Sequence, residues 1–156
     1  MAEYRFITRW RLLAPQQRVW DVLMDGKGYP DWWPCYKQYT DLSPEVNGIG
    51  AASELVVRGL LPYDIRYRMD VTHCDPPREL RFRASGDLAG DGIMLFQPDG
   101  DGTLVTLHWN VRTTGFWLNL MAPVLRWLFV RNHNWVMRKG ERGIVEWLGR
   151  TDGGAS

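Results

Sequence analysis

Only two cysteines, Cys35 and Cys74, occur in 156 residues, too few for a disulfide framework and at a spacing that fits no zinc pattern. They are read as reduced thiols of a cytoplasmic protein. Charge of one sign is equally scarce. The 19 basic and 18 acidic residues leave a formal net charge of +1, so there is no global field to recruit nucleic acid or an anionic membrane surface. Long apolar runs are missing too: the longest uncharged stretch, Thr113 to Leu125, falls short of the about 20 residues that cross a bilayer. Glu3, Arg5, Arg9 and Arg11 break up the N-terminus and argue against an ordinary signal peptide. A soluble cytoplasmic chain is expected.

Catalytic and metal-binding signatures are also sparse. GIGAAS, Gly48 to Ser53, approaches a phosphate loop but leads into a strand instead of a helix, and PDGDGT lacks the later ligands of a calcium loop. His73, Cys74 and Asp75 cluster without further ligands at metal spacing, and His108 falls on the outer side of its strand, so no metal is indicated. No nucleophile elbow and no supported Cys/His pair is found. Covalent catalysis is not expected, nor is any cofactor.

What the chain has in quantity is large aromatics: 9 Trp, 6 Tyr and 5 Phe. They suit a thick core or the wall of a binding site equally well. YRFITRWRLL sets Tyr4, Phe6, Thr8, Trp10 and Leu12 against Arg5, Ile7, Arg9 and Arg11, the period of a half-buried strand. APQQRVWDVLMD then predicts a helix of about three turns opening at a proline, and YPDWWP a short helical turn. Six strands are predicted over 36–42, 51–58, 63–74, 79–86, 92–98 and 103–113, punctuated by turn chemistry such as CDPP and SGDLAGDG. Their alternation, clearest in YDIRYRMDV, gives the sheet one wet and one dry face, and the short connections imply an antiparallel meander.

After Gly115 the pattern becomes helical. Pro123 fits the first residue of a helix running to Leu148, about 40 Å at 1.5 Å per residue. On a helical wheel Val130, His133, Met137, Ile144 and Leu148 share a stripe, with Arg126 near it and Asn134 at its edge. This helix is expected to pack on the sheet's dry face, with large inward aromatics holding it off the floor to leave a cavity. Gly140 and Gly143 lower helix propensity by around 1 kcal/mol each against alanine, which suggests a close backbone approach or a bend.

The order strand, helix, short helix, six strands, long helix resembles the helix-grip fold of the SRPBCC superfamily, which includes START lipid-transfer domains, birch-pollen-allergen-like proteins and polyketide cyclases. LLAPQQRVWDVLMDGKGYPDWWP resembles the opening of that superfamily, and NHNWVMRKGERGI the closing helix of its bacterial polyketide cyclase/dehydrase-like members. The resemblance runs from about Phe6 to Leu148. It implies an α+β fold in which a curved seven-stranded antiparallel sheet wraps a long C-terminal helix; the length suits one domain, over 1–149, and the Gly-rich end reads as a flexible tail over 150–156.

Within that fold the expected wall of the cavity is Trp10, Trp33, Tyr63, Tyr67, Phe82, Met94, Phe96 and Trp109 from the sheet side, with Arg126, Val130, His133 and Met137 from the helix. The bland reading of each aromatic is plain core, and His133 can equally be a core histidine satisfied by a neighbour. The expected function is binding or transport of a hydrophobic small molecule such as a lipid, isoprenoid quinone or polyketide-like aromatic. The alternative is a cofactor-independent cyclase or aromatase that moves a proton with His133, Asn134 or Tyr67. The other partner expectations are no nucleic acid, a transient membrane contact through residues 115–130, and a monomer or homodimer.

Overall fold

The computed structural model describes residues 3–43, 48–61, 64–113 and 122–153. Strand β1 (Glu3–Leu12) leads into helix α1 (Gln16–Met24), a 3-10 turn (Gly26–Gly28) and the one-turn helix α2 (Tyr29–Trp32). Strands β2 (Tyr36–Asp41), β3 (Ala52–Val57), β4 (Ile65–Asp75), β5 (Glu79–Gly86), β6 (Leu88–Asp99) and β7 (Gly102–Thr113) follow, and helix α3 (Ala122–Gly153) comes last. The strands form one seven-stranded sheet in the order β1-β7-β6-β5-β4-β3-β2. All neighbours are antiparallel. This is the helix-grip architecture that the resemblance implies.

Alternation in β1 sets the two faces. Tyr4, Phe6, Trp10 and Leu12 are buried, while Arg5, Arg9 and Arg11 are exposed, and Phe6 and Trp10 pair with Trp109 and Val105 of β7. Ion pairs such as Arg11 to Asp99 at 3.0 Å decorate the outer face, where each contributes about 1 kcal/mol or less. Helix α1 opens at Pro15, whose carbonyl accepts from Val19 N at 3.1 Å, and it buries Val19, Trp20, Val22 and Leu23. Trp20 meets Phe96 edge-on with ring centroids 4.9 Å apart, which buries Phe96 completely.

Two departures from the expected pattern have packing causes. Strand β6 starts at Leu88 instead of 92, with Gly90 and Gly92 inside it. A side chain at Gly92 would strike the Phe82 ring at 2.2 Å, so this glycine makes room for an aromatic and does not mark a turn. In β4, the register against β5 slips between Val71 and His73. The extra residue, Thr72, turns His73 outward opposite Arg81 and brings Cys74 opposite the buried Leu80.

Helix α3 has 32 residues, about 48 Å of helix. It continues five residues past the expected end at Leu148, to Gly153. Its glycines serve close approach: a Cβ at Gly140 would lie 2.4 Å from the Trp33 indole, and one at Gly143 would lie 1.7 Å from the Trp32 carbonyl oxygen. The WWP turn is seated directly on the helix backbone. Helix propensity alone would make Gly143→Ala stabilising by about 1 kcal/mol. The opposite is expected, a loss of at least about 2 kcal/mol in urea unfolding, and a stabilised variant would mean that α2 does not rest on α3.

Candidate functional site

Residues on the dry face at the middle of the sheet are not sealed. Tyr67, Met69, Val71, Met94 and Leu107 point to the interior yet are only half-buried, whereas Leu80, Phe82 and Trp109 beside them are buried. The half-buried residues border a cavity of about 90 Å³ that is roofed by Met137 and walled by Leu23, Tyr29, Trp33 and Tyr36. A second void of about 60 Å³ lies against Phe6, Phe129, Asn132 and His133 and shares Tyr36, Tyr67, Trp109 and Met137 with the first. A third, of about 20 Å³, lies among Trp10, Trp33, Met94 and Val105. Met137 lines all three. It is the one described residue common to all three, and its flexible thioether can shift between them.

Polar groups reach this apolar interior at few points. Tyr36 and Tyr67 share a hydroxyl to hydroxyl hydrogen bond of 3.1 Å. Burial raises both phenols, Tyr67 to about 12 and Tyr36 well above its ordinary value. The imidazole of His133 stacks on Phe6 with centroids 3.7 Å apart and planes inclined by 15°. Its Nε2 is buried and has no hydrogen-bond partner. Desolvation lowers its pKa to about 4, so the ring is neutral at pH 7. Asn132, one position earlier, is also buried, and its Oδ1 accepts from the backbone N–H of Leu60 at 2.6 Å and of Leu61 at 3.4 Å. This amide clamps the β3–β4 connection to α3. Trp33 adds a second clamp, its Nε1 donating to the Val136 carbonyl at 2.9 Å.

A wider recess of about 380 Å³ opens at the other end of the sheet, between α1, the 3-10 turn and the β4–β5 connection. Its wall includes Asp21, Asp25, Asp41 and Lys27, and it shares Met24, Tyr39 and Gly48 with the main cavity. Lys27 Nζ lies 3.1 Å from Asp41 Oδ2. Tyr39 lies flush on the 3-10 turn, where a Cβ at Gly26 would overlap its ring. The recess is a charged vestibule separated from the apolar chamber by Met24 and Tyr39.

Of the expected wall, Trp10, Trp33, Tyr67, Phe82, Met94, Trp109, His133 and Met137 converge on these voids. Phe96 does not line them; it is 1% exposed beneath Trp20 in solid core. Tyr63 lies outside the described residues. Val130 is half-buried beside the core and lines none of the three voids.

Two polar residues expected near the cavity face elsewhere. Arg126 is exposed: its Nη2 donates to the Glu3 carbonyl at 3.2 Å and its guanidinium sits 4.8 Å above the Tyr4 ring. The helix at that point overhangs the rim of β1, and the long side chain lies along the edge. Asn134 is exposed because the buried stripe runs through Phe129, Asn132, His133, Val136 and Gly140, which turns the next position outward. Asn132 is thus the buried amide. The expected stripe on the wheel passed over it, and the strand alternation passed over Tyr36, Tyr39 and Ser53, which lie on short strands without clear alternation.

Of the membrane contact expected through residues 115–130, residues 115–121 lie outside the described residues. Of the remainder, Trp127 is 61% exposed and Phe129 is buried. Among the described residues no helix is long and apolar enough to cross a membrane, and no group of three or more His, Cys, Asp or Glu side chains is placed to hold a metal ion.

A curved antiparallel sheet gripping one long helix over an apolar chamber defines the helix-grip class of α+β proteins. The profile of the family described as polyketide cyclase / dehydrase and lipid transport matches residues 10–145, and the chain belongs to that family. Solved structures share the fold at low identity. TTHA0849 from Thermus thermophilus is 20% identical, with a TM-score of 0.68 over 93% of this chain and 98% of that one. The Zhui aromatase/cyclase from Streptomyces sp. R1128 is 19% identical, with a TM-score of 0.60 over 92% and 96%. Ara h 8.0201 is 11% identical, with a TM-score of 0.62 over 90% and 96%. No protein of curated function matches the chain.

The lowered pKa of His133 sets a pH dependence of stability. Its unfolded value is about 6.5, so between that and its folded value of about 4 the unfolded chain binds the extra proton. The stability this neutral ring supports is complete above pH 6.5 and is lost as pH falls towards 4, by up to about 3 kcal/mol. Urea unfolding at pH 7.0 and 4.5 should show the loss, and His133→Phe, which cannot take up the proton, should remove most of it. Asn132→Ala should cost about 1–3 kcal/mol at both pH values, because two backbone donors lose their acceptor.

Proposed function

We propose that this protein binds and carries a hydrophobic small molecule, of lipid, isoprenoid quinone or polyketide-like aromatic character, in the chamber between sheet and C-terminal helix. The observation that supports this most directly is the set of inward side chains left half-buried at the centre of the sheet, Tyr67, Met69, Val71, Met94 and Leu107. A core built only for stability would close over such residues, since interiors pack to crystal density. The lining is apolar with few polar groups, the usual make-up of a small-molecule site. The main void of about 90 Å³ is smaller than the cavity of about 150 Å³ that accepts benzene. A ligand must therefore join the voids, and moving Met137 does so. Affinity would derive from burial, at about 25 cal/mol per Å² before the losses of association.

The same chamber could serve a cyclase or aromatase, as the family's description and the Zhui fold suggest. Proton transfer works best when a group's pKa lies near the operating pH. Tyr67, raised to about 12, and His133, lowered to about 4, both stand far from it. That favours holding a ligand over transforming it, and Asn134 and Arg126, both exposed, add nothing to an acid–base apparatus. The reading also takes the chain to act in the cytoplasm, where Cys35 and Cys74 stay reduced.

Native mass spectrometry of the purified protein should detect a retained small molecule. Met137→Ala should merge the voids and strengthen uptake of a bulky aromatic dye, at a cost of about 2 kcal/mol or more in stability. Met137→Trp should fill them and abolish retention while the far-ultraviolet circular dichroism stays unchanged. Undiminished retention by the tryptophan variant would put the ligand elsewhere.

A further inference from the structure

Two sets of polar groups meet in the void beside α3, and neither carries a charge. Tyr36 and Tyr67, joined by their 3.1 Å hydrogen bond, face the same space as His133. His133 is 9% exposed and its Nε2 has no partner. Phe6, stacked on the imidazole, fixes the plane of the ring and so the direction in which Nε2 points. A buried ring nitrogen without a partner is costly, about 1–3 kcal/mol, and is normally satisfied in the working state of a protein. A hydroxyl meets this requirement for either tautomer, because it donates to a bare nitrogen and accepts from a protonated one. A carbonyl meets only one of the two.

The surroundings select further. Among the described residues lining the three voids there is no Asp, Glu, Lys or Arg, and Arg126, the one cation of the helix face expected to turn inward, lies on the rim. An ionised carboxylate placed here would be desolvated with no counter-charge, which is strongly unfavourable. The vestibule acts in the same direction. Three aspartates, Asp21, Asp25 and Asp41, stand in its wall against one lysine, Lys27, so an approaching anion meets a negative rim.

Resting on the binding reading above, we infer that the chamber selects a neutral apolar alcohol or phenol, its hydroxyl hydrogen-bonded to His133 Nε2 beside the Tyr36–Tyr67 pair, and excludes free carboxylic acids of the same skeleton. The chemistry is a ring or chain that fills the apolar voids and ends in one uncharged hydroxyl. Met137 has to yield to the skeleton, while His133 stays in place because Phe6 holds it.

The experiment uses the full chain at pH 7.5 and the fluorescence of 1-aminoanthracene, an uncharged ring probe, displaced by 2-naphthol, 2-methylnaphthalene or 2-naphthoate. Wild type should bind 2-naphthol at least tenfold more tightly than 2-naphthoate. His133→Phe keeps the stacked ring and removes the nitrogen; it should weaken 2-naphthol by roughly fivefold to tenfold and leave 2-methylnaphthalene unchanged. His133→Leu, made in parallel, also removes the nitrogen, should lower 2-naphthol selectively in the same way, and supplies the measurement should the phenylalanine variant fail to fold. Equal binding of naphthol and naphthoate, or variants that weaken 2-methylnaphthalene as much as 2-naphthol or leave 2-naphthol untouched, would overturn the inference while sparing the carrier reading. Failure of 1-aminoanthracene and 2-methylnaphthalene to bind at all would overturn both.

Discussion

The seating of the WWP turn on the C-terminal helix is the contact on which the site depends. Trp32 and Trp33 meet a backbone stripped of side chains at Gly140 and Gly143, and the Trp33 indole donates to the Val136 carbonyl. At the neighbouring turns of α3, Asn132 holds the β3–β4 connection through two backbone N–H groups. The helix is therefore pinned from the side by short segments, and it does not have to be pulled onto the middle of the sheet by apolar contact. The floor residues Met69, Met94 and Leu107 stay partly uncovered as a result. A helix held only by burial would settle until that space closed.

Much of this was readable from residue order. Strict alternation in β1 and β4, the proline opening of α1 and the helical period after Pro123 made the architecture legible, because each is a local signal set by backbone geometry. The resemblance in LLAPQQRVWDVLMDGKGYPDWWP supplied the topology. The site was legible in outline: the inward aromatics and His133 were found, and Gly140 and Gly143 signalled a close approach. What escaped depends on relations between elements. That Asn132 is buried and Asn134 exposed follows from where the β3–β4 loop meets the helix; that Arg126 lies on the rim follows from how far α3 overhangs β1. Gly92 looked like turn chemistry because the Phe82 ring it accommodates belongs to another strand.

The chamber joins two environments of opposite character. Its body carries phenols and an imidazole that are neutral at pH 7, burial having raised Tyr67 to about 12 and lowered His133 to about 4. Its vestibule carries the ion pair of Lys27 and Asp41, 3.1 Å apart. Met24 and Tyr39 stand between them. Low dielectric inside and charge outside favour the same kind of guest from two directions, one through the cost of desolvation and the other through the field at the mouth. Neither requires a tailored contact to the ligand's skeleton, so recognition of charge state can be strict while recognition of shape stays loose.

The sheet order has a consequence for assembly. Strand β1 pairs with β7 alone, Glu3 opposite Arg112 and Leu12 opposite Thr103, so the first strand of the chain waits for the last before it has a partner. Contacts so far apart along the chain are slow to form, since the loop between them must close first. Phe6, which orients His133, sits on that strand, so the meander can form before the void beside His133 is complete. A guest molecule then has only the finished fold to stabilise, and occupancy draws the whole chain towards its native state by mass action.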